Sequence, residues 1–490
     1  MDEDLKAGPA SPLDPGGHLA AAAADCVHCG FCLPACPTYQ LWGEEMDSPR
    51  GRINLISQVL DGAPVSESVT THLDRCLGCM ACVTACPSGV RYNELIEAAR
   101  AWPQKPAAGP EPGPAQSPAP PAGTARSLRE RAVRNAIFAT FPYPRRLRAL
   151  SGPLRAAQRA GLDRLVQRRL VTRYAPELAS SLRLAPPAPD RRGGAFRRDR
   201  PTARPGRLPA RVPAAAPRRA VVGMLTGCVQ QVFFPEVNAA TARVLAAEGC
   251  DVIIPPGQGC CGALSLHAGR AAEAARFAEQ TIATFEREGV DVVVVNSAGC
   301  GSAMKEFGAT FARTAPDGAV CAGDPAGGQP IAERAAAFSA TVRDLSEFLA
   351  ELYRDSGGPR AARHQLPVAA AYHDACHLAH AQRIRQQPRD LLRAIPGLDL
   401  TEVGDNMTFC GSAGIYNLLQ PEAAAELGKR KAAALRATGA RLVVSANPGC
   451  SLQIATALAA DGREPVAVAH IAEVLDASLR GLPVTALTDR

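Results

Sequence analysis

Two runs of four cysteines near the N-terminus have residue types and a spacing that suit metal chemistry. Both follow the pattern C-x2-C-x2-C-x3-C-P, over residues 26–37 and 76–87. Three thiolates at this spacing bind one iron–sulfur cluster, and the fourth, which precedes proline, reaches across to the other cluster. The runs therefore predict two [4Fe–4S] clusters. The predicted ligands are Cys26, Cys29, Cys32 and Cys86 for the first cluster and Cys76, Cys79, Cys82 and Cys36 for the second.

Zinc and disulfides are the alternative uses of such cysteines. Zinc usually takes its ligands as two separated pairs, and disulfides do not suit a reducing compartment. The chain has 17 cysteines, no signal peptide over Met1–Asp25 and no run of about 18 apolar residues. We therefore expect a cytoplasmic protein whose cysteines bind metal. His28, inside the first run, is interpreted as a bystander because the cysteines already complete the ligand count.

The N-terminal part of the chain has helical periodicity around the cysteine runs. Residues 53–60 and 93–102 carry this pattern, so we predict a mainly α-helical two-cluster module over 18–102. Residues 103–218 are interpreted as a Pro-rich linker followed by basic amphipathic helices, with Leu147, Leu150 and Leu154 at helical spacing.

Arginine is concentrated in the middle of the chain. Residues 126–219 contain 24 arginines, no lysine and five acidic residues, within a chain of net charge +7. No nucleic-acid-binding motif accompanies this charge, so we expect no nucleic-acid partner. An acidic partner subunit or an anionic lipid surface is the functional interpretation, and a solvated connector is the simpler one.

From residue 219 onward, apolar strands alternate with helices, which predicts parallel sheets covered on both faces. The pattern occurs twice. Asn-Ser-Ala-Gly-Cys at 296–300 and Ala-Asn-Pro-Gly-Cys at 446–450 mark the same place in the two copies. We therefore predict two tandem α/β domains, at 219–355 and 365–480, and an α+β multidomain protein overall.

Cysteines follow the predicted strands of both copies, where ligands of open α/β sheets gather. The first copy predicts a third metal site, either an iron–sulfur cluster or zinc, and small buried cysteines are the alternative. The second copy has Phe409 in place of one cysteine, and its three thiols would need His373 or His377 to hold a metal. The candidate ligands are Cys228, Cys260, Cys261 and Cys300 in the first copy and Cys376, Cys410 and Cys450 in the second. Cys250 and Cys321 match nothing in the repeat.

Cys-Cys-Gly at 260–262, between Cys228 and Cys300, resembles the cysteine-rich CCG domain. That domain occurs twice in heterodisulfide reductase subunits, in lactate-utilisation proteins and in the small subunit of anaerobic glycerol-3-phosphate dehydrogenase. Pro-Arg-Gly-Arg at 49–52 is similar to a segment of helical two-cluster ferredoxin modules. Together with Phe-Cys-Gly-Ser-Ala-Gly at 409–414, these motifs most resemble the iron–sulfur subunit of bacterial glycolate oxidase.

The chain departs from the full CCG pattern at two positions. The last cysteine of that pattern is replaced by Ala303 in the first copy and by Gln453 in the second. A catalytic cluster of the heterodisulfide reductase type uses those extra thiolates, so the departures argue against it.

The resemblance implies an electron-transfer subunit and no catalytic residues on this chain. No G-x-G-x-x-G follows a strand, so we expect neither flavin nor NAD here. A partner subunit containing FAD would oxidise glycolate to glyoxylate, and the clusters would pass electrons to a quinone or another respiratory acceptor, with peripheral contact at the inner face of the membrane. The alternatives are a lactate or glycerol-3-phosphate dehydrogenase subunit, a heterodisulfide-reductase-like catalyst and an iron–sulfur sensor.

Overall fold

A computed structural model describes seven parts of the chain: residues 11, 13–102, 126–159, 208–314, 330–404, 409–460 and 462–489. The predicted linker at 103–123, the later predicted helix positions from residue 162 to 184, and Cys321 lie outside these residues. The chain divides into two units, Met1–Phe138 with Ser265–Ala271 and Ala139–Leu264 with Ala272–Arg490.

The first unit is built from helices, as the periodicity of its sequence predicts. Its longest helix, Pro49–Leu60, begins where the Ser48 hydroxyl accepts a hydrogen bond from the Gly51 amide at 3.0 Å. Ile53 and Ile56 are buried on its inner face. The other helices of this unit are His18–Ala24, Pro37–Trp42, Glu67–Arg75, Ala81–Ala85, Tyr92–Ala99 and Leu128–Phe138, with a 3-10 turn at Glu45–Asp47.

The second unit contains two sheets. The first has five strands, in the order β1-β3-β2-β4-β5, and the second has four, in the order β7-β6-β8-β9. Among the strands of the described residues, only β1 is antiparallel to its neighbour. The strands are β1 Arg211–Val212, β2 Ala220–Met224, β3 Cys250–Ile253, β4 Val292–Val295, β5 Val342–Asp344, β6 Val368–Tyr372, β7 Leu398–Thr401, β8 Leu442–Ser445 and β9 Ala467–His470.

The two sheets repeat one topology. Strands β3-β2-β4-β5 of the first sheet correspond in order and direction to β7-β6-β8-β9 of the second. Both fourth strands also lead into a helix with a capping box, formed by Asp344 with Glu347 in the first repeat and by His470 with Glu473 in the second. The α+β architecture predicted from the sequence is confirmed.

The two repeats of the second unit share one hydrophobic core. Val222, Val294, Ala371 and Val444, from strands of both sheets, belong to the same hydrophobic cluster. The helices are Pro144–Arg159, Gln230–Phe233, Pro235–Ala247, Ala263–Leu266, Ala271–Glu286, Ala298–Lys305, Phe307–Thr314, Ile331–Thr341, Leu345–Ser356, Gln386–Arg393, Tyr416–Leu419, Pro421–Ala437, Pro448–Ala460, Ile471–Leu479 and Thr485–Thr488, with a π-helical turn at His377–Ala381.

Polar contacts also join the two repeats. Arg243 forms a bidentate ion pair with the buried Asp476, at 2.8 and 2.6 Å, and the Ala298 amide donates to the Ala446 carbonyl at 3.3 Å. The two repeats are therefore packed as one body rather than as separate domains connected only by the chain.

The basic helix Pro144–Arg159 buries only part of its predicted apolar stripe. Leu147 is 3% exposed, whereas Leu150 is 56% exposed. Among the described residues, no helix combines the length and the apolar character needed to cross a membrane.

Candidate metal centres

The first cysteine run and the last cysteine of the second run surround one cavity. Its wall also includes the loop residues Val27 and His28. Cys29 is exposed and the other three predicted ligands of this group are half-buried, so the cavity opens toward solvent. The cysteines that line it are Cys26, Cys29, Cys32 and Cys86, together with Cys82.

The second cysteine run and the last cysteine of the first run surround another cavity. All four of its cysteines are buried, whereas Cys29 of the first group is exposed, and by this difference in cysteine exposure we call the first cavity open and the second enclosed. The last cysteine of each run thus lines the cavity of the other run. Local structure places these two residues at helix ends, since Cys36 is the N-cap of the helix Pro37–Trp42 and Cys86 is the C-cap of the helix Ala81–Ala85. The cysteines that line the second cavity are Cys36, Cys76, Cys79 and Cys82.

The loops between the cysteines have the same backbone form in both runs. Positive φ angles occur two and four residues after the first cysteine, at His28 (52°) and Gly30 (87°) and at Gly78 (67°) and Met80 (63°). Such loops turn their amides toward the enclosed space, as a thiolate-bound cluster requires. The carbonyl of His28 also accepts a hydrogen bond from the Arg50 guanidinium at 3.0 Å, and this contact stabilises the loop.

Hydrogen-bond donors and arginine side chains lie around the sulfur of Cys76. Its Sγ accepts hydrogen bonds from the Gly78 amide at 3.4 Å and from the Tyr92 hydroxyl at 3.5 Å. Burial is the largest single effect and would raise the pKa of this thiol, but Arg52 and Arg100, together with these two hydrogen bonds, lower the pKa below its ordinary value. The site therefore favours a thiolate, the form that binds iron.

The Arg52 cation is fully buried beside the second cavity. It donates to the Asp47 carboxylate at 3.3 Å, to the Thr38 hydroxyl at 3.1 Å and to the His72 carbonyl at 2.7 Å. Asp47 is also buried and further accepts from Arg75 at 2.9 Å. The sequence indicated only that residues 49–52 resemble a segment of ferredoxin modules, because the partners of Arg52 come from separate segments.

The four cysteines of the first α/β repeat meet at the carboxyl ends of its strands. Cys260 forms hydrogen bonds with Cys228 and Cys261, and Cys300 forms one with Cys261. These contacts, followed by burial, raise the pKa of Cys260 and of Cys300 well above the ordinary value. Gly262, which follows the pair, has φ +90° and faces the carbonyl of Ala274, so a side chain there would meet the backbone.

The second repeat brings a histidine to the corresponding place. Ring and sulfur atoms of His373, Cys410 and Cys450 all lie within 4.8 Å of one another, and all three residues are buried. The Cys450 thiol, followed by the His373 imidazole, lowers the pKa of Cys410 against the opposing effect of burial. Cys376 is buried nearby, and burial followed by the charge of Cys410 raises its pKa to about 12.

The remaining described cysteine lies apart from these groups. Cys250 is fully buried on β3, where burial raises its pKa to about 12. It belongs to the hydrophobic core of the second unit.

A helical unit with two four-cysteine cavities, joined in sequence to two cysteine-rich α/β repeats, defines an iron–sulfur protein of the electron-transfer class. A family model described as a 4Fe-4S dicluster domain matches residues 22–90, and one described as a cysteine-rich domain matches 222–305 and 370–455. A third, described as the linker region of the glycolate oxidase iron-sulfur subunit, matches 129–185.

Whole-chain relatives agree with these matches. The chain is 35% identical to the "probable glycolate oxidase iron-sulfur subunit" of Bacillus subtilis strain 168, over 92% of this chain and 93% of the relative. It is 33% identical to the glycolate oxidase iron-sulfur subunit of Escherichia coli strain K12, over 93% of each chain. Lactate utilization protein A of Shouchella clausii is 29% identical over 52% of this chain and 98% of its own length. The chain belongs to the glycolate oxidase iron–sulfur subunit family.

Proposed function

We propose that this chain carries electrons from a partner subunit containing FAD, which oxidises glycolate to glyoxylate, to a quinone or another respiratory acceptor. The oxidation releases two electrons and two protons, and a [4Fe–4S] cluster accepts one electron at a time. Two clusters on one chain therefore suit the conversion of a two-electron event at a flavin into single-electron steps. The protein positions the clusters and sets their potentials through burial, charge and hydrogen bonds.

The observation that carries this proposal is the pairing of one open and one enclosed four-cysteine cavity. The open cavity, at the exposed Cys29, suits exchange of electrons with another protein. We assign Cys26, Cys29, Cys32 and Cys86 to the cluster in that cavity, and Cys76, Cys79, Cys82 and Cys36 to the cluster in the enclosed one.

The crossed assignment has its own test. Cys86→Ala is expected to change the EPR signal of the open cluster, and Cys36→Ala that of the enclosed cluster, although each residue lies in the run that supplies three ligands of the other cluster. Cys250→Ala is the matched control, because this buried cysteine lies in the core of the second unit. If Cys86→Ala altered only the cluster of its own run, the assignment would be wrong.

The function is tested by anaerobic co-purification with the flavin subunit, iron quantification and EPR before and after glycolate is added. We expect about eight iron atoms per chain, as two [4Fe–4S] clusters require, and reduced-cluster signals after glycolate. Cys29→Ser and Cys79→Ser should remove the electron transfer while flavin reduction by glycolate continues. Clusters that stay oxidised under glycolate in the complete complex would refute the proposal.

The substrate of the complex decides between this function and its nearest alternatives. Lactate and glycerol-3-phosphate are added in separate experiments, and cluster reduction by one of these but not by glycolate would favour that dehydrogenase. A heterodisulfide-reductase-like catalyst is disfavoured because buried Ala303 and Gln453 occupy the positions of the extra thiolates. Gln453 is also used structurally, since its amide donates to the Ala424 carbonyl at 2.9 Å.

We propose a third metal centre at Cys228, Cys260, Cys261 and Cys300. Cys228 lies 32 residues before Cys260, and Cys300 lies 39 residues after Cys261. Four thiolates suit an iron–sulfur cluster or zinc. Metal analysis of Cys261→Ser and the wild type distinguishes these outcomes. Loss of iron that the wild type holds beyond the about eight iron atoms of the two N-terminal clusters indicates a cluster, and loss of zinc indicates a mononuclear site.

We also propose a cytoplasmic location with peripheral contact at the inner membrane face. Arg145, Arg146 and Arg148 cluster at the start of the helix Pro144–Arg159, where an anionic lipid surface would attract them. Replacing these three arginines by glutamine should reduce sedimentation with anionic vesicles at low salt. Unchanged sedimentation would leave the arginine-rich segment as a solvated connector.

A further inference from the structure

The histidine that directly follows the first strand of the second repeat lies beside two buried thiols. His373 follows β6 directly and is 2% exposed, and its ring lies within 4.8 Å of the sulfurs of both Cys410 and Cys450. Among the described residues, neither ring nitrogen of His373 has a hydrogen-bond partner of ordinary geometry, and the polar group with which its imidazole interacts is the Cys410 thiol. A buried imidazole without a partner is costly unless its lone pair binds something else.

Another buried histidine of the same repeat provides an internal comparison. His470 accepts from the Ala472 amide at 3.1 Å through Nδ1 and donates to the Asn296 carbonyl at 2.9 Å through Nε2. Both of its nitrogens are therefore used, as expected for a structural histidine. His373 differs because its nearest polar neighbours are thiols, which are metal ligands.

The alignment of the two repeats explains why a histidine occurs at this place. Cys228 and Cys376 each lie four residues after their strand, β2 and β6, so His373 corresponds to the buried apolar residue Leu225. The second repeat lacks the thiol of Cys260, which Phe409 replaces. Compared with the first repeat, the second has one thiol fewer, at Phe409, and one imidazole more, at His373.

We infer that the second repeat binds a single zinc ion through His373, Cys410 and Cys450. Donor atoms within 4.8 Å of one another can converge on one ion, at bond lengths of about 2.1 Å to nitrogen and about 2.3 Å to sulfur, with small shifts. A cubane cluster keeps its ligand atoms further apart, because each binds a different iron. Two thiolates and an imidazole are also the donors that select zinc among abundant divalent metals. The inference is independent of the electron-transfer role.

The test measures zinc and iron in the anaerobically purified full chain by mass spectrometry. His373→Ala should lower the zinc content by about one ion per chain and leave the iron content unchanged. His380→Ala is the matched control, because it removes another buried histidine of the same repeat whose ring contacts Arg385. Equal zinc contents in the wild type and His373→Ala would overturn the inference.

A second variant keeps the inference testable if His373→Ala does not fold. His373→Cys should retain the ion, and after exchange with Co²⁺ its sulfur-to-cobalt charge-transfer absorption should exceed that of the wild type by the contribution of one thiolate. An unchanged absorption would mean that residue 373 does not bind the metal. Because glycolate-dependent cluster reduction is measured on the same samples, failure of the zinc site and failure of the electron-transfer function can be told apart.

Discussion

The hydroxyl of Tyr92 donates a hydrogen bond to Sγ of Cys76, across 3.5 Å, in the enclosed cavity. Tyr92 is 3% exposed and lines both cysteine cavities. A donor to a ligand sulfur stabilises the extra electron of the reduced cluster. The contact therefore gives the enclosed cluster a higher reduction potential than its burial alone would allow.

Replacing this donor tests its effect on one cluster. Tyr92→Phe should lower the reduction potential of the enclosed cluster and leave that of the open cluster nearly unchanged, because only Cys76 loses a hydrogen bond. An EPR-monitored redox titration measures both potentials. Tyr39→Phe serves as the control, since Tyr39 lines neither cavity. Equal shifts of both clusters in Tyr92→Phe would contradict the prediction.

The buried charge network below the enclosed cavity should matter greatly for stability. Asp47→Asn removes the carboxylate that compensates Arg52, which is itself fully buried, and should cost about 3 kcal/mol or more of unfolding free energy. Anaerobic guanidinium unfolding measures the loss. Glu45→Gln breaks the more exposed ion pair with Arg50 and should cost less than about 1 kcal/mol. Similar costs for the two variants would refute the role of the network.

The glycine of the second repeat's Phe-Cys-Gly motif should not tolerate a side chain. Gly411 has φ +84°, and a Cβ there would overlap the Ala424 carbonyl oxygen, so Gly411→Ala should cost both backbone strain and displacement of a helix. Gly439→Ala shares the positive φ, at +70°, but has open space around it. Its cost should be about 1–2 kcal/mol, clearly smaller than that of Gly411→Ala. Thermal unfolding compares the two, and equal losses would mean that the close contact is unimportant.

The two capping residues that end β5 and β9 should change the stability of the protein in opposite directions as the pH falls. Burial lowers the pKa of His470 to about 4, so between about pH 6.5 and pH 4 the unfolded chain binds a proton that the folded one does not, and stability falls as pH falls. Burial raises the pKa of Asp344 to about 6, so the folded chain binds its proton first and stability rises as pH falls from about 6 to about 3.8.

Asparagine is a good helix cap and does not titrate, so it separates these effects. When the pH is lowered from 7 to 4.5, the peptide covering β9 should lose less protection from hydrogen exchange in His470→Asn than in the wild type. The peptide covering β5 should lose more protection in Asp344→Asn than in the wild type. Hydrogen exchange with mass spectrometry, with each variant compared to the wild type at the same pH, measures the difference. Shifts of the same sign would contradict the assignment.

Much of the architecture could be predicted because its signals are local. The spacing within each cysteine run, the apolar runs of β2, β4, β6 and β8 and the motifs at 296–300 and 446–450 all lie within short stretches of chain. Strands β5 and β9 were not predicted. Each has only three or four residues and leads directly into a helix, so no separate strand signal precedes the helical pattern.

The parts that sequence could not give depend on contacts between distant segments. Arg52 meets Asp47 and the carbonyl of His72 only after three helical segments have packed together. In the same way, His373 lies 37 residues before Cys410 and 77 before Cys450, and its spacing resembles no known ligand motif. A single sequence contains these residues but does not indicate which of them meet.

The shared hydrophobic cluster of the two α/β repeats has a consequence for how this architecture can evolve. Each copy covers apolar surface of the other, so a gene fragment encoding one copy would leave that surface exposed to water and prone to aggregation. Selection must then retain both copies, even where one has exchanged its donors, as at Phe409 and His373. Neither copy could be deleted without exposing the apolar surface that it covers, whereas the metal-binding residues of each copy can still change.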